Sequence, residues 1–170
     1  MADADSDNAS MDWEGNPSTL DAHLSEMPTE EWWHEAHQSF QMLQQLVRPE
    51  WMAKRFQEQY DPNQPHSSNE NTINQRLAQE TYLPFINALP SGNYRLGLSA
   101  TNEPLECIAF GTMGAQRFLE VFWEAVVLAQ QLEDTVVVHE VQSAEPRIWL
   151  TVGLHDFLLT YVQCEKLVRR

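Results

Sequence analysis

Trp33, Ala36, Phe40, Leu43 and Val47 recur at intervals of three and four, so the pattern predicts a helix over 30–47 with one buried face. Thr29 stands at its start as an N-cap, and Glu30 and Glu31 suit the positive end of the helix dipole. Pro49 interrupts the periodicity but fits the first turn of a second helix, on which Trp51, Met52, Arg55, Phe56 and Tyr60 share a face. Pro62, Pro65, Ser67 and Ser68 give 61–71 the composition of a linker. Thr72 caps a third predicted helix, in which Ile73, Leu77, Phe85, Ile86 and Leu89 are apolar and Pro84 makes a kink.

The period then changes. Positions 93–100 alternate in part and 105–110 form a short apolar run, predicting two strands. Gly111 and Gly114 supply a turn before a helix over 115–132, whose stripe is Phe118, Phe122, Ala125, Ala129 and Leu132. The β-branched stretch 135–141 reads as a strand, and 147–152 and 157–163 as two more. Gly153, Leu154, His155 and Asp156 are the expected hairpin turn between them. Helices followed by strand, strand, helix and three strands predict an α+β protein, with a helical segment at 29–60 ahead of a mixed sheet within 72–170. A chain of 170 residues sustains one domain with a substantial core.

Charge changes the picture at one end. The net charge is -15, and residues 1–31 carry nine of the 25 acidic residues and none of the ten basic ones. With only Met11, Trp13 and Leu20 as scattered apolar anchors, 1–28 reads as a disordered acidic tail, a solubilising terminus rather than an arm that folds on a basic or groove-bearing partner. No apolar run reaches bilayer-spanning length and the first residues lack a hydrophobic core. Neither a membrane span nor a secretory leader is expected, and the location predicted is intracellular, nucleus or cytoplasm. The two cysteines, Cys107 and Cys164, are far apart in apolar contexts, which favours buried thiols over a disulfide or metal site.

The segment Gly92-Asn93-Tyr94-Arg95-Leu96-Gly97, with Leu105-Glu106-Cys107-Ile108-Ala109-Phe110-Gly111 after it, resembles the active-site signature of poly(A) polymerase-type nucleotidyltransferases. In that family Gly-Ser-Tyr-Arg-Leu-Gly precedes an Asp-x-Asp strand. The likeness extends through the apolar helix from Arg117 and Val136 to Val141. It ends in Ile148-Trp149-Leu150-Thr151-Val152-Gly153 and Phe157-Leu158-Leu159-Thr160-Tyr161, where the family carries a third carboxylate. The resemblance implies a polymerase-palm fold, in which two Mg²⁺ ions on three carboxylates transfer a nucleotidyl group from ATP to RNA.

On this register the Asp-x-Asp positions fall on Pro104 and Glu106 and the third carboxylate on Leu158, leaving Glu106 as the one acid. Asn93 stands for the phosphate-binding serine, with Ser99 as the alternative. Glu103 and Asp156 are the acids nearest in sequence for a rearranged metal site. Mg²⁺ prefers octahedral oxygen ligands at fixed positions, which a glutamate, a proline and a leucine do not provide. The chain also stops at Arg170, where the family continues into a helical domain. The resemblance therefore implies an inactive, truncated relative acting through a protein partner, with no cofactor expected and RNA met only indirectly. Two alternatives remain: an active adenylyltransferase using Mg²⁺ and ATP at Glu106 with Glu103 or Asp156, and an unrelated interaction module with a similar sheet and helix pattern.

Weaker features favour plain readings. Glu31 with His34, and Glu35 with His37, lack the second Glu-x-x-His element of a di-iron bundle, so they read as a solvated face. The aromatics Trp32, Trp33, Phe40, Trp51, Phe56 and Tyr60 read as helix packing rather than an RNA-stacking platform, since few basic residues accompany them. His155 and Asp156 lack an identifiable nucleophile.

Overall fold

The computed structural model describes residues 27–58, 83–130 and 136–164. The tail before Met27, the linker 61–71 and the predicted helix start at Thr72, Ile73 and Leu77 lie outside the described residues.

Helix α1, Glu30–Leu46, begins where the pattern places it. Thr29 Oγ1 accepts from the Trp32 N–H at 3.1 Å, and Ala36, Phe40, Leu43 and Leu46 are buried along its stripe. Helix α2, Pro49–Glu58, opens on the proline and buries Met52 and Ala53, while the Arg55 guanidinium lies 5.2 Å from the Trp51 ring centre.

The continuation of a third helix through Phe85, Ile86 and Leu89 is not what forms. Ile86–Pro90 is a strand, β1, with Ile86 and Ala88 buried and Leu89 exposed, a period of two. Pro84 and Pro90 bracket these residues too closely for a helix, whereas an edge strand accepts a proline at its end. Positions 93–100 also depart from the expected strand. Gly92–Leu96 is a one-turn helix, α3, closed by Gly97 in the left-handed conformation, with Leu98 N–H donating to Asn93 O at 2.9 Å. Leu96 and Leu98, which suggested alternation, are exposed, and Tyr94 is the residue that turns inward.

Strand β2, Leu105–Gly111, helix α4, Ala115–Gln130, and strands β3, Val136–Gln142, β4, Arg147–Val152, and β5, His155–Gln163, follow. The sheet order is β1-β2-β5-β4-β3; β2 and β5 are parallel and every other pair is antiparallel, so the sheet is mixed. The β4–β5 turn is only Gly153 and Leu154, because Val152 already pairs with His155; His155 and Asp156 belong to the strand, not to the turn.

One face of the sheet is covered. α1 packs on β1 and β4, α4 on β3 and β5, and α2 on α4. Phe118, Phe122, Phe157, Leu105, Ile148, Leu150 and Leu159 form the centre of the core together with Leu43 and Met52. Tyr161 stacks on Phe118 at 4.0 Å and donates its hydroxyl to Met113 O at 2.7 Å, tying β5 to the turn before α4. Gly111 sits where a Cβ would come within 2.3 Å of Phe85 O, so the β1–β2 pairing requires glycine there. The other face carries Glu106, Ile108, Leu158 and Trp149, and it positions the candidate site.

Candidate functional site

Alternation on β2 buries Leu105, Cys107 and Ala109 and turns Glu106 and Ile108 to the open face. Parallel pairing places Leu158 directly beside Glu106, and antiparallel pairing places Trp149 beside Leu158 and Glu140 beside Trp149. A row of Glu106, Leu158 and Trp149 thus crosses three strands, with Glu140 next in register at the bulge of β3. Pro104 is exposed immediately before β2. The tertiary structure therefore sets Glu106 and Leu158, 52 residues apart in the numbering, side by side.

Glu106 is held at the start of α3. Its Oε2 accepts from the Asn93 N–H at 3.3 Å, while Ser91 N–H donates to its backbone carbonyl at 2.9 Å. Gly92 has φ +50, and a Cβ there would lie 1.5 Å from Glu106 Oε2. The carboxylate occupies space that only a glycine leaves free, against backbone N–H groups that favour an anion. Asn93 contributes its main chain to this contact. Ser99 is buried in the segment between α3 and β2, 4% exposed.

Glu103 and Asp156 lie elsewhere. Both line a polar cavity of about 170 Å³ with Trp32, Asn102, Leu154 and His155, and Glu106 is not among its lining residues. Asp156 Oδ1 accepts from the Thr151 hydroxyl at 2.5 Å, and His139 Nε2 lies 2.6 Å from Thr151 Oγ1. Since the single Thr151 proton goes to Asp156, His139 donates through Nε2, and the three side chains form a hydrogen-bonded line across β3, β4 and β5. Among the described residues no group of three or more His, Cys, Asp or Glu is arranged to hold a metal ion.

His155 and Asp156 do not form an acid–base pair, because successive strand residues face opposite sides. His155 is buried, with Nδ1 3.1 Å from Ser39 Oγ and the Trp32 ring edge-on at 5.2 Å. Burial holds the imidazole below its ordinary pKa, against the opposing pull of Glu35 and Asp156. Burial likewise pushes the Tyr94 hydroxyl up to about 12, with Cys107 adding to the effect, and raises the Cys107 thiol, with Glu106 adding. Cys107 and Cys164 are both free thiols.

The N-terminal aromatics pack as the sequence suggests. Trp33 stacks parallel to Tyr94 at 6.2 Å, and Phe40 meets Tyr94 edge-on at 5.7 Å, so α1 clamps α3. Tyr60 lies outside the described residues. Sequence reasoning missed Trp149 and the His139, Thr151, Asp156 line; alternation in β4, with Ile148, Leu150 and Val152 inward, was the pattern that could have set Trp149 and Thr151 on the open face. No described helix is long and apolar enough to cross a membrane. Compared with protein-family models and with curated proteins, the chain matches none significantly.

Proposed function

We propose that this protein is a non-catalytic relative of poly(A) polymerase-type nucleotidyltransferases, acting through contacts with a protein partner in RNA processing inside the cell. The observation that carries the reading is the pairing of Glu106 with Leu158 on adjacent parallel strands. Two-metal transfer requires carboxylates on neighbouring strands facing one way, and here that arrangement holds an acid beside a leucine. Pro104 adds no oxygen donor, and the Glu106 carboxylate is already engaged by Asn93. A pair of Mg²⁺ ions does not fit this donor set. Protein contact is supported by Phe85, Leu89, Ile108, Trp149 and Val162, all exposed apolar residues, with the last three on the open sheet face. The alternative of a rearranged metal site draws on Glu103 and Asp156 lining one cavity. It is less favoured because Glu106 is turned to α3 and Asp156 to Thr151.

Calorimetric titration with ATP in Mg²⁺ or Mn²⁺ tests the reading. The expected result is no metal-dependent heat for the native chain, and a gain of Mn²⁺-dependent binding on restoring three aspartates by P104D, E106D and L158D. Metal-dependent ATP binding by the native chain that disappears in Glu106→Ala would overturn it in favour of an active enzyme.

A further inference from the structure

We propose that the cleft between α4 and the β3 edge is a docking site for an extended, basic and apolar segment of a partner protein, which adds a strand to β3. The cleft has a volume of about 400 Å³; Leu119, Trp123 and Val141 give it an apolar lining, with Glu120, His139 and Glu140 around them. Trp123 is 41% exposed although it sits on the helix that buries Phe118 and Phe122 in the core. A large indole left open beside a groove is the kind of residue that anchors a partner.

Position in the sheet supplies the second observation. β3 is the terminal strand and pairs only with β4 among the described residues, so its outer edge presents main-chain N–H and C=O groups along the cleft. A groove bounded by an edge strand and a helix is the setting in which an extended peptide pairs through its backbone and sends alternate side chains inward. The bulge between Val138 and Glu140 interrupts the edge, which limits indiscriminate sheet growth and confines pairing to a short stretch.

Charge selects the occupant. Glu120 and Glu140 line the cleft, among the described residues no Lys or Arg lines it, and the whole chain carries -15. A segment alternating basic and apolar residues places its apolar side chains on Trp123 and its cations against the two glutamates. A second copy of this chain would set those glutamates against each other in a two-fold β3 pairing, so self-association is disfavoured. The inference rests on the cleft alone and stands whether or not the chain binds nucleotide.

The test uses the full chain and a panel of fluorescein-labelled nonapeptides in which Lys or Arg alternates with Val, Leu, Phe or Trp, read by fluorescence anisotropy. At least one peptide is expected to bind. Trp123→Ala and the double reversal E120K with E140K are each expected to weaken it about tenfold or more. Ile108→Ala and Glu106→Lys, on the open face of β2 and far from β3, are expected to leave affinity within about twofold. Methylating alternate peptide amides, which preserves charge and side chains, is expected to abolish binding by removing strand pairing. Absence of binding by every peptide up to about 1 mM, equal affinity for the methylated peptides, or equal loss in the open-face variants would each overturn the proposal. Sedimentation showing a dimer that Trp123→Ala dissociates would overturn it in favour of a second copy.

Discussion

Gly92→Ala is the perturbation that most directly probes how Glu106 is held. Two penalties arise at the same atom. A non-glycine residue in the left-handed region costs about 1–2 kcal/mol, and Gly92 has φ +50. The new Cβ would also lie 1.5 Å from Glu106 Oε2, so the carboxylate must swing away and release the Asn93 N–H. That side chain end is flexible and exposed, so the second penalty is smaller than the first. Offsetting both, alanine reduces the freedom of the unfolded chain by about 0.4–1 kcal/mol. The net expectation is destabilisation of about 1–2 kcal/mol, measured by urea unfolding followed by circular dichroism. In the Glu106→Ala background the steric part vanishes and only the backbone part remains. The double-mutant cycle should therefore show a coupling of at least about 0.5 kcal/mol, with the double variant more stable than the two singles predict by addition. Equal cost of Gly92→Ala in both backgrounds would refute the placement of the carboxylate over the glycine, and with it one support for an occupied, non-catalytic site.

Other outcomes follow from the packing. Gly111→Ala is expected to destabilise more than Gly92→Ala, because its Cβ would meet the immobile Phe85 carbonyl at 2.3 Å; a thermal melt of both variants orders them. Tyr161→Phe keeps the stack on Phe118 but leaves Met113 O without its donor, costing about 1–3 kcal/mol in urea unfolding. His155 is held neutral by burial, so its folded pKa lies below the unfolded value of about 6.5. Its contribution is full above that value and is lost as pH falls through the folded pKa; His155→Gln should flatten the loss of stability as pH falls below about 6.5. In the native chain Cys107, 1% exposed and with its thiol pKa raised, should resist Ellman's reagent until unfolding, while half-buried Cys164 reacts first.

Much of the architecture was legible in local pattern. The α1 stripe, its Thr29 cap, Pro49 at the start of α2, the α4 stripe and the strands at β2 to β5 all follow from periodicities of 3.6 and 2. Two segments were misread because their apolar residues had more than one periodic interpretation. Phe85, Ile86 and Leu89 fit a helical spacing, but pairing of Ile86 with Gly111 and Ala88 with Ala109 makes them a strand, and that pairing involves residues some twenty positions away. Leu96 and Leu98 alternated as a strand would, yet Tyr94 had its partners on α1, in Trp33 and Phe40.

The candidate site divides in the same way. Pro104, Glu106 and Leu158 could be named from the chain, and the absence of a side-chain carboxylate at Pro104 and Leu158 is a matter of residue identity. Where Glu106 points is not, since it depends on Gly92, Asn93 and the end of β1 being carried to it by the sheet. Likewise, nothing in the local pattern directs Asp156 to Thr151: that contact follows from the pairing of β4 with β5. The sequence by itself determined which segments bury a face and which chemistry is present, because periodicity and side-chain identity are local properties. Only the tertiary structure decided which acids meet, which carboxylate lies over a glycine and which strand edge stays open, because those follow from strand order and register between distant residues.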